Sequence, residues 1–169
     1  MRTFFPVALL LISTFCFAQL QTPEQFLGYK VGTRFTPHHR IVDYYRSVAA
    51  DSPASVKLQQ YGTTNEGRPL VVAFVSSQAN LANLEAIRAA NMQTVNSGKA
   101  ADAGQPVIVW LSYNVHGNEP SSSEAALLTL HALADPTNAV AKQHLQNTVV
   151  VLDPCLNPDG RDRYVNWYN

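Results

Sequence analysis

Apolar positions recur along this chain in two periods, about 3.6 residues in some segments and two in others, and the two kinds of segment alternate. Residues 37–50 begin with Pro37 at a first helical turn and carry Ile41, Tyr44, Tyr45 and Val48 at helical spacing, which predicts a helix. Val56, Leu58 and Gln60 alternate with polar neighbours, and Pro69–Val75 is rich in β-branched residues, so the Gly62–Arg68 turn is expected to join two strands as a hairpin. A second helix is expected over Asn80–Asn96, with Leu81, Leu84, Ile87 and Val95 on its apolar side and Gly98 as its stop, followed by a Gly98–Gln105 loop. Pro106–Leu111 is almost wholly apolar, the pattern of a central strand covered on both faces.

Ser121 with Glu124 three residues later predicts a capping box opening a helix through Leu127, Leu128 and Leu130 to about Ala134. A short helix over Pro136–Leu145 and a buried strand, Thr148–Leu152, complete the pattern. Strands alternating with helices predict an α/β fold with a mixed central sheet flanked by helices. No internal repeat or low-complexity tract interrupts it.

The N-terminus departs from this alternation. Arg2 is followed by an apolar run, Phe4–Phe17, broken only by Pro6, Ser13 and Thr14, with small residues at Cys16 and Ala18. That is the pattern of a secretory signal peptide over residues 1–18, cleaved between Ala18 and Gln19. The run is shorter than the roughly 20 apolar residues of a membrane span, so no span is expected after its removal. Bulky Phe15 before Cys16 argues against lipid attachment there. The expected location is secreted or periplasmic, with residues 19–169 as one domain.

The 169 residues are 46% apolar and 14% charged, with twelve Lys and Arg against twelve Asp and Glu. Signal removal takes only Arg2, so the remaining chain is near neutral and carries no electrostatic footprint for nucleic acid. Cys16 and Cys155 cannot form a disulfide framework, and Cys155 reads as a small buried hydrophobe.

Chemistry-bearing residues concentrate after the two most apolar strands. The first leads into Ser112-Tyr113-Asn114-Val115-His116-Gly117-Asn118-Glu119-Pro120. Ligands of open α/β sheets sit at the carboxyl ends of strands, and a tight strand-to-helix turn can bring an imidazole nitrogen and a carboxylate oxygen three residues apart to one zinc ion. Gly117 removes side-chain bulk between them. A His-x-x-Glu spacing also recurs by chance, and taken alone the pair reads more readily as a loop histidine and an acid near a helix N-terminus than as a metal site. The second strand leads into Asp153-Pro154-Cys155-Leu156-Asn157-Pro158-Asp159-Gly160-Arg161-Asp162-Arg163, where Asn-Pro-Asp-Gly alone is a turn signal. Arg161 and Arg163 read as turn or ion-pair residues, His131 as a hydrogen-bonded core histidine, and His38, His39 and His144 as solvated.

The His-Gly-x-Glu loop followed by the Asn-Pro-Asp-Gly loop, together with the Tyr61-Gly62-Thr63-Thr64-Asn65-Glu66-Gly67-Arg68-Pro69-Leu70 turn, resembles the zinc carboxypeptidase family, the carboxypeptidase A/B-like metallopeptidases. The resemblance covers about residues 25–169. It implies that His116 and Glu119 are the first two of three ligands to Zn2+, and that the domain is the N-terminal part of a truncated catalytic domain. The remaining ligand, the oxyanion arginine, the carboxylate-binding Asn-Arg pair, a tyrosine and the general-base glutamate are implied beyond Asn169, so no catalytic or substrate-binding residue is assigned within the chain. The implied function is a metallocarboxypeptidase acting on peptide or protein substrates near their C-terminus, with the fragment inactive alone. An aspartoacylase-like zinc deacylase of N-acyl amino acids and a non-catalytic secreted binding module remain alternatives. Side-chain preference, carboxypeptidase against endopeptidase action and oligomeric state are left open by the sequence.

Overall fold

The alternating segments Val56–Thr63 (β1) and Pro69–Val75 (β2) form the expected antiparallel hairpin in the computed structural model, which describes residues 20–169. On its far side β2 pairs antiparallel with β4 (Thr148–Asp153), and β4 pairs parallel with β3 (Val107–Ser112), giving the order β1-β2-β4-β3. The fold is α/β with a mixed sheet. The expected signal peptide over residues 1–18 lies outside the described residues. No helix among the described residues is long and apolar enough to cross a membrane.

Two helices build the main core layer. Helix α2 (His38–Asp51) presents Ile41, Tyr44, Tyr45 and Val48 on one stripe, and α5 (Ser121–Ala134) presents Leu127, Leu130 and Ala134. They meet Val56, Ala73, Val75, Val150 and Leu152 of the sheet in one buried cluster. Burying each large aliphatic or aromatic side chain contributes roughly 1.5–3 kcal/mol, so this layer is the principal source of stability. The buried tyrosine hydroxyls stay satisfied, Tyr45 donating to the Ala126 carbonyl at 3.2 Å and Tyr44 to the Gln21 carbonyl at 3.0 Å.

Several elements differ from the sequence expectation. β3 is not covered on both faces: it is an edge strand of the described sheet, and Val107, Ile108, Val109 and Trp110 are 38–64% exposed. An apolar pattern states what a strand can bury, whereas its neighbours decide what it does bury, and here those are β4 and the flanking α4 (Leu84–Ser97). β4 is interior, as expected. The single helix expected over Asn80–Asn96 is two, α3 (Gln78–Ala82) and α4, separated at Asn83 with φ −118° and ψ 23°. Asn80 explains the break, because its amide donates to the carbonyls of Leu145 and Gln146 and ties α3 to the loop before β4. On α4 only Ile87 is buried, and Val95 is 74% exposed.

The Ser121/Glu124 capping box does not form. Pro120 is the N-cap of α5 with no side-chain cap bond, and Glu124 is drawn inward. A capping box is present instead at α1 (Pro23–Leu27), between Thr22 and Gln25. The helix expected over Pro136–Leu145 narrows to α6 (Ala139–His144), capped by Asn138 accepting from the Ala141 amide at 3.1 Å. Asn-Pro-Asp-Gly is not a plain connection but the start of α7 (Pro158–Tyr168), with Pro158 in its first turn and the Asn157 side chain accepting from the Gly160 amide at 3.0 Å.

Candidate metal centre

The parallel pair β3–β4 ends with Ser112 opposite Asp153, and both chemistry-bearing loops leave from that carboxyl edge. His116 Nδ1 lies 3.2 Å from Glu119 Oε2, and the side chains are 70% and 64% exposed. The Glu119 amide donates to the His116 carbonyl at 3.1 Å, which closes the turn that brings the two side chains together. Two donors each about 2.0–2.2 Å from a tetrahedral zinc ion would be roughly 3.4 Å apart. The pair therefore fits one ion, and without it the contact reads as an imidazole N–H donating to a carboxylate. Among the described residues no third His, Cys, Asp or Glu joins them.

The two loops are bonded to each other along their length. Tyr113 donates to the Asp153 carbonyl at 3.0 Å, Leu156 to the Tyr113 carbonyl at 3.0 Å and Asn157 to the Asn114 carbonyl at 3.2 Å. Asn157 Nδ2 reaches the Val115 carbonyl at 3.1 Å. Gly117 packs on the first turn of α7 so closely that a Cβ there would lie 2.3 Å from the Gly160 carbonyl carbon and 2.4 Å from its oxygen. Its φ is not in the left-handed region, so this close approach is what calls for glycine between the two donors.

Behind the loop lies a buried charge pair. Arg161, 0% exposed, donates to Glu124 Oε1 at 2.9 Å, to the Thr36 carbonyl and to the Pro120 carbonyl at 3.4 Å. Glu124 also accepts from the Thr36 amide at 2.6 Å and hydroxyl at 2.8 Å, so its carboxylate is almost enclosed by donors. Desolvation lowers the pKa of Arg161 even beside this partner, and its Nε has no hydrogen-bond partner among the described residues. Further along α7, Asp159 and Asp162 accept from Arg68 at 2.7 and 2.9 Å, and Arg163 bonds to Glu66, so the hairpin turn is clamped onto this helix. Hydrogen bonds from Arg68 and Arg163 hold the Glu66 carboxyl below its ordinary value.

Asp153, at the end of β4, is fully buried, and none of the described Lys, Arg or His residues forms an ion pair with it. It accepts from the Tyr61 hydroxyl at 2.6 Å and the Cys155 amide at 3.1 Å. Burial raises its pKa against these bonds. Tyr61 reaches it from the register shift between Gln60 and Gly62 in β1.

The structure brings His116 and Glu119 together and leaves the other candidates apart. Arg161 and Arg163 are ion-pair residues, as read. Cys155 is buried and free, its thiol pushed up to about 11 by burial, which removes it as a nucleophile. His144 and His39 are exposed, as expected. His38 is a correction: it is 2% exposed, with Nε2 bonded to the Pro69 carbonyl at 2.9 Å and its pKa lowered by burial. It shares the stripe of Ile41, Val42 and Tyr45, a helical-spacing signal that was available in the sequence. Glu124 was also detectable, three residues before Leu127 on the buried side of α5. His131 is half-buried in the last turn of α5 rather than a core histidine, beside Asp135.

A cavity of about 660 Å³ lies at the opposite end of the sheet, between Ser52–Ser55, Ser76–Ala79 and Leu133–Pro136, and neither His116 nor Glu119 lines it.

Known structures share this fold. Thrombin activatable fibrinolysis inhibitor superposes with a TM-score of 0.56 at 18% identity, over 76% of this chain and 27% of that one. Carboxypeptidase A from Helicoverpa armigera gives 0.55 at 21% identity, over 78% and 28%. A metallo-carboxypeptidase from Burkholderia cenocepacia gives 0.51 at 17%, over 75% and 28%. At these identities the likeness shows the fold, and the chain spans little more than a quarter of these relatives. No curated protein matches the sequence significantly. The sequence profile of the zinc carboxypeptidases matches residues 41–169, from the first turn of α2 through both loops to Asn169, and the chain belongs to that family.

Proposed function

We propose that His116 and Glu119 are two ligands of a zinc ion in a metallocarboxypeptidase that removes residues near the C-terminus of peptides, and that residues 1–18 direct its export. The observation that carries this is the 3.2 Å approach of Nδ1 to Oε2, on a loop at the carboxyl edge of a parallel strand pair, in a chain of this family. When bound, zinc supplies Lewis acidity toward the scissile carbonyl. The chain's own contribution is to hold the His116 imidazole and the Glu119 carboxyl group at fixed separation, with the loop pressed on Gly160 and α5 anchored through Glu124. Catalytic zinc sites use three protein ligands, so with two donors the chain alone is expected to bind zinc weakly and to leave peptides uncleaved.

The test is a Zn2+ titration of the chain, followed through the His116 imidazole resonances and repeated with His116→Ala and Glu119→Gln. Saturable binding lost in both variants supports the reading. Binding unchanged by either substitution overturns it.

A further inference from the structure

Asn114 stands two residues before His116 with its backbone in the left-handed region, φ 53°, and is 3% exposed. It is the one residue other than glycine with a positive φ among the described residues. Asparagine enters this region more readily than most side chains, yet a buried instance calls for compensating bonds. Those bonds are present. Nδ2 donates to the His116 carbonyl at 2.6 Å, and Oδ1 lies 2.9 Å from Ser123 Oγ, whose one proton it shares with the Pro154 carbonyl at 2.7 Å. Its own carbonyl accepts from the Asn157 amide at 3.2 Å.

The His116 carbonyl thus receives two donors, Asn114 Nδ2 and the Glu119 amide. The second bond closes the turn between the two zinc donors, and the first fixes where that turn stands relative to β3. Ser123 belongs to α5, which starts two residues after Glu119, so the same amide group ties the histidine end of the loop to the helix at its glutamate end. We infer that Asn114 is a positioning residue that sets the separation of His116 Nδ1 and Glu119 Oε2 for metal binding, an inference resting on the function proposed above. The amide is needed for both of its ends: aspartate would set a carboxylate oxygen against the His116 carbonyl, and glycine would keep the backbone while losing both bonds.

The experiment compares the whole chain with Asn114→Gly, Asn114→Asp and His116→Ala, measuring Zn2+ affinity by titration, the His116 imidazole resonances and the thermal midpoint. Loss of an outer-shell partner costs about 10–100-fold in metal affinity. Asn114→Gly is expected to weaken Zn2+ binding about tenfold or more while its thermal midpoint stays close to that of the parent chain, and Asn114→Asp to weaken it at least as much. Parent-like zinc affinity in both variants overturns the inference and leaves the proposed function standing. A loss of affinity that only follows a falling thermal midpoint assigns Asn114 a structural role and also overturns it. Zinc binding by the parent chain that is indifferent to His116→Ala removes the proposed function, and the inference with it.

Discussion

Arg161 is the most demanding single residue of the described chain, because its guanidinium is enclosed while one nitrogen stays unpaired. Removing one partner of such a pair strands the other charge in the interior. Arg161→Met is therefore expected to destabilise the fold by about 3–5 kcal/mol, seen as a lowered midpoint in denaturant melts, with Glu124→Gln in the same direction. Asp153 gives a pH-dependent counterpart. Its pKa is raised in the folded chain, so folding favours the protonated acid: the cost of ionising it is absent below the unfolded carboxyl value and grows as pH rises through the folded one. Asp153→Asn should accordingly gain stability relative to the parent as pH increases across the acid range and then level off. Melts at a series of pH values check this, and a difference independent of pH would refute it. His38, lowered by burial, works oppositely, losing its contribution as pH falls through the ordinary histidine range. At this scale His116 and Glu119 were legible because their relation is local. The partner of Glu124, 37 residues away, was not, and so a buried acid looked like a helix cap.

Between elements, the decisive contact is the first turn of α7 against the loop between β3 and α5. Gly117→Ala would drive a methyl group into the Gly160 backbone, which is rigid helix rather than a movable side chain. The loop must shift, and both donors shift with it. Weaker Zn2+ binding with both proposed ligands, His116 and Glu119, intact is the expected result, measured against the parent by the same titration; unchanged affinity would show that the loop moves without them. Element types were readable where the apolar period was strong, as in α2, the hairpin and β4. Element ends were less so: Asn80 and Asn157 spend their side chains on a remote loop and on a helix start, and the sequence shows only that each favours a break or a cap.

For the molecule as a whole, the exposed apolar strand β3 is the largest departure from what its sequence suggests. Among the described residues its outer edge has no partner strand and carries Val107, Ile108, Val109 and Trp110 with no charged residue among them, an arrangement that in this chain invites strand pairing between copies. Self-association at raised concentration, reduced by Val109→Lys, is the expected outcome in sedimentation velocity, and identical sedimentation of the two chains would refute it. By itself the sequence determined the α/β alternation, the hairpin, the family and the closeness of His116 to Glu119, since each depends on spacing within a few residues or on a motif read directly. The tertiary structure alone decided that β3 lies at the edge of the described sheet, that Glu124 and Arg161 neutralise one another behind the loop, and that Gly117 meets Gly160. Those outcomes depend on which distant segments come into contact, and local pattern carries no information about that.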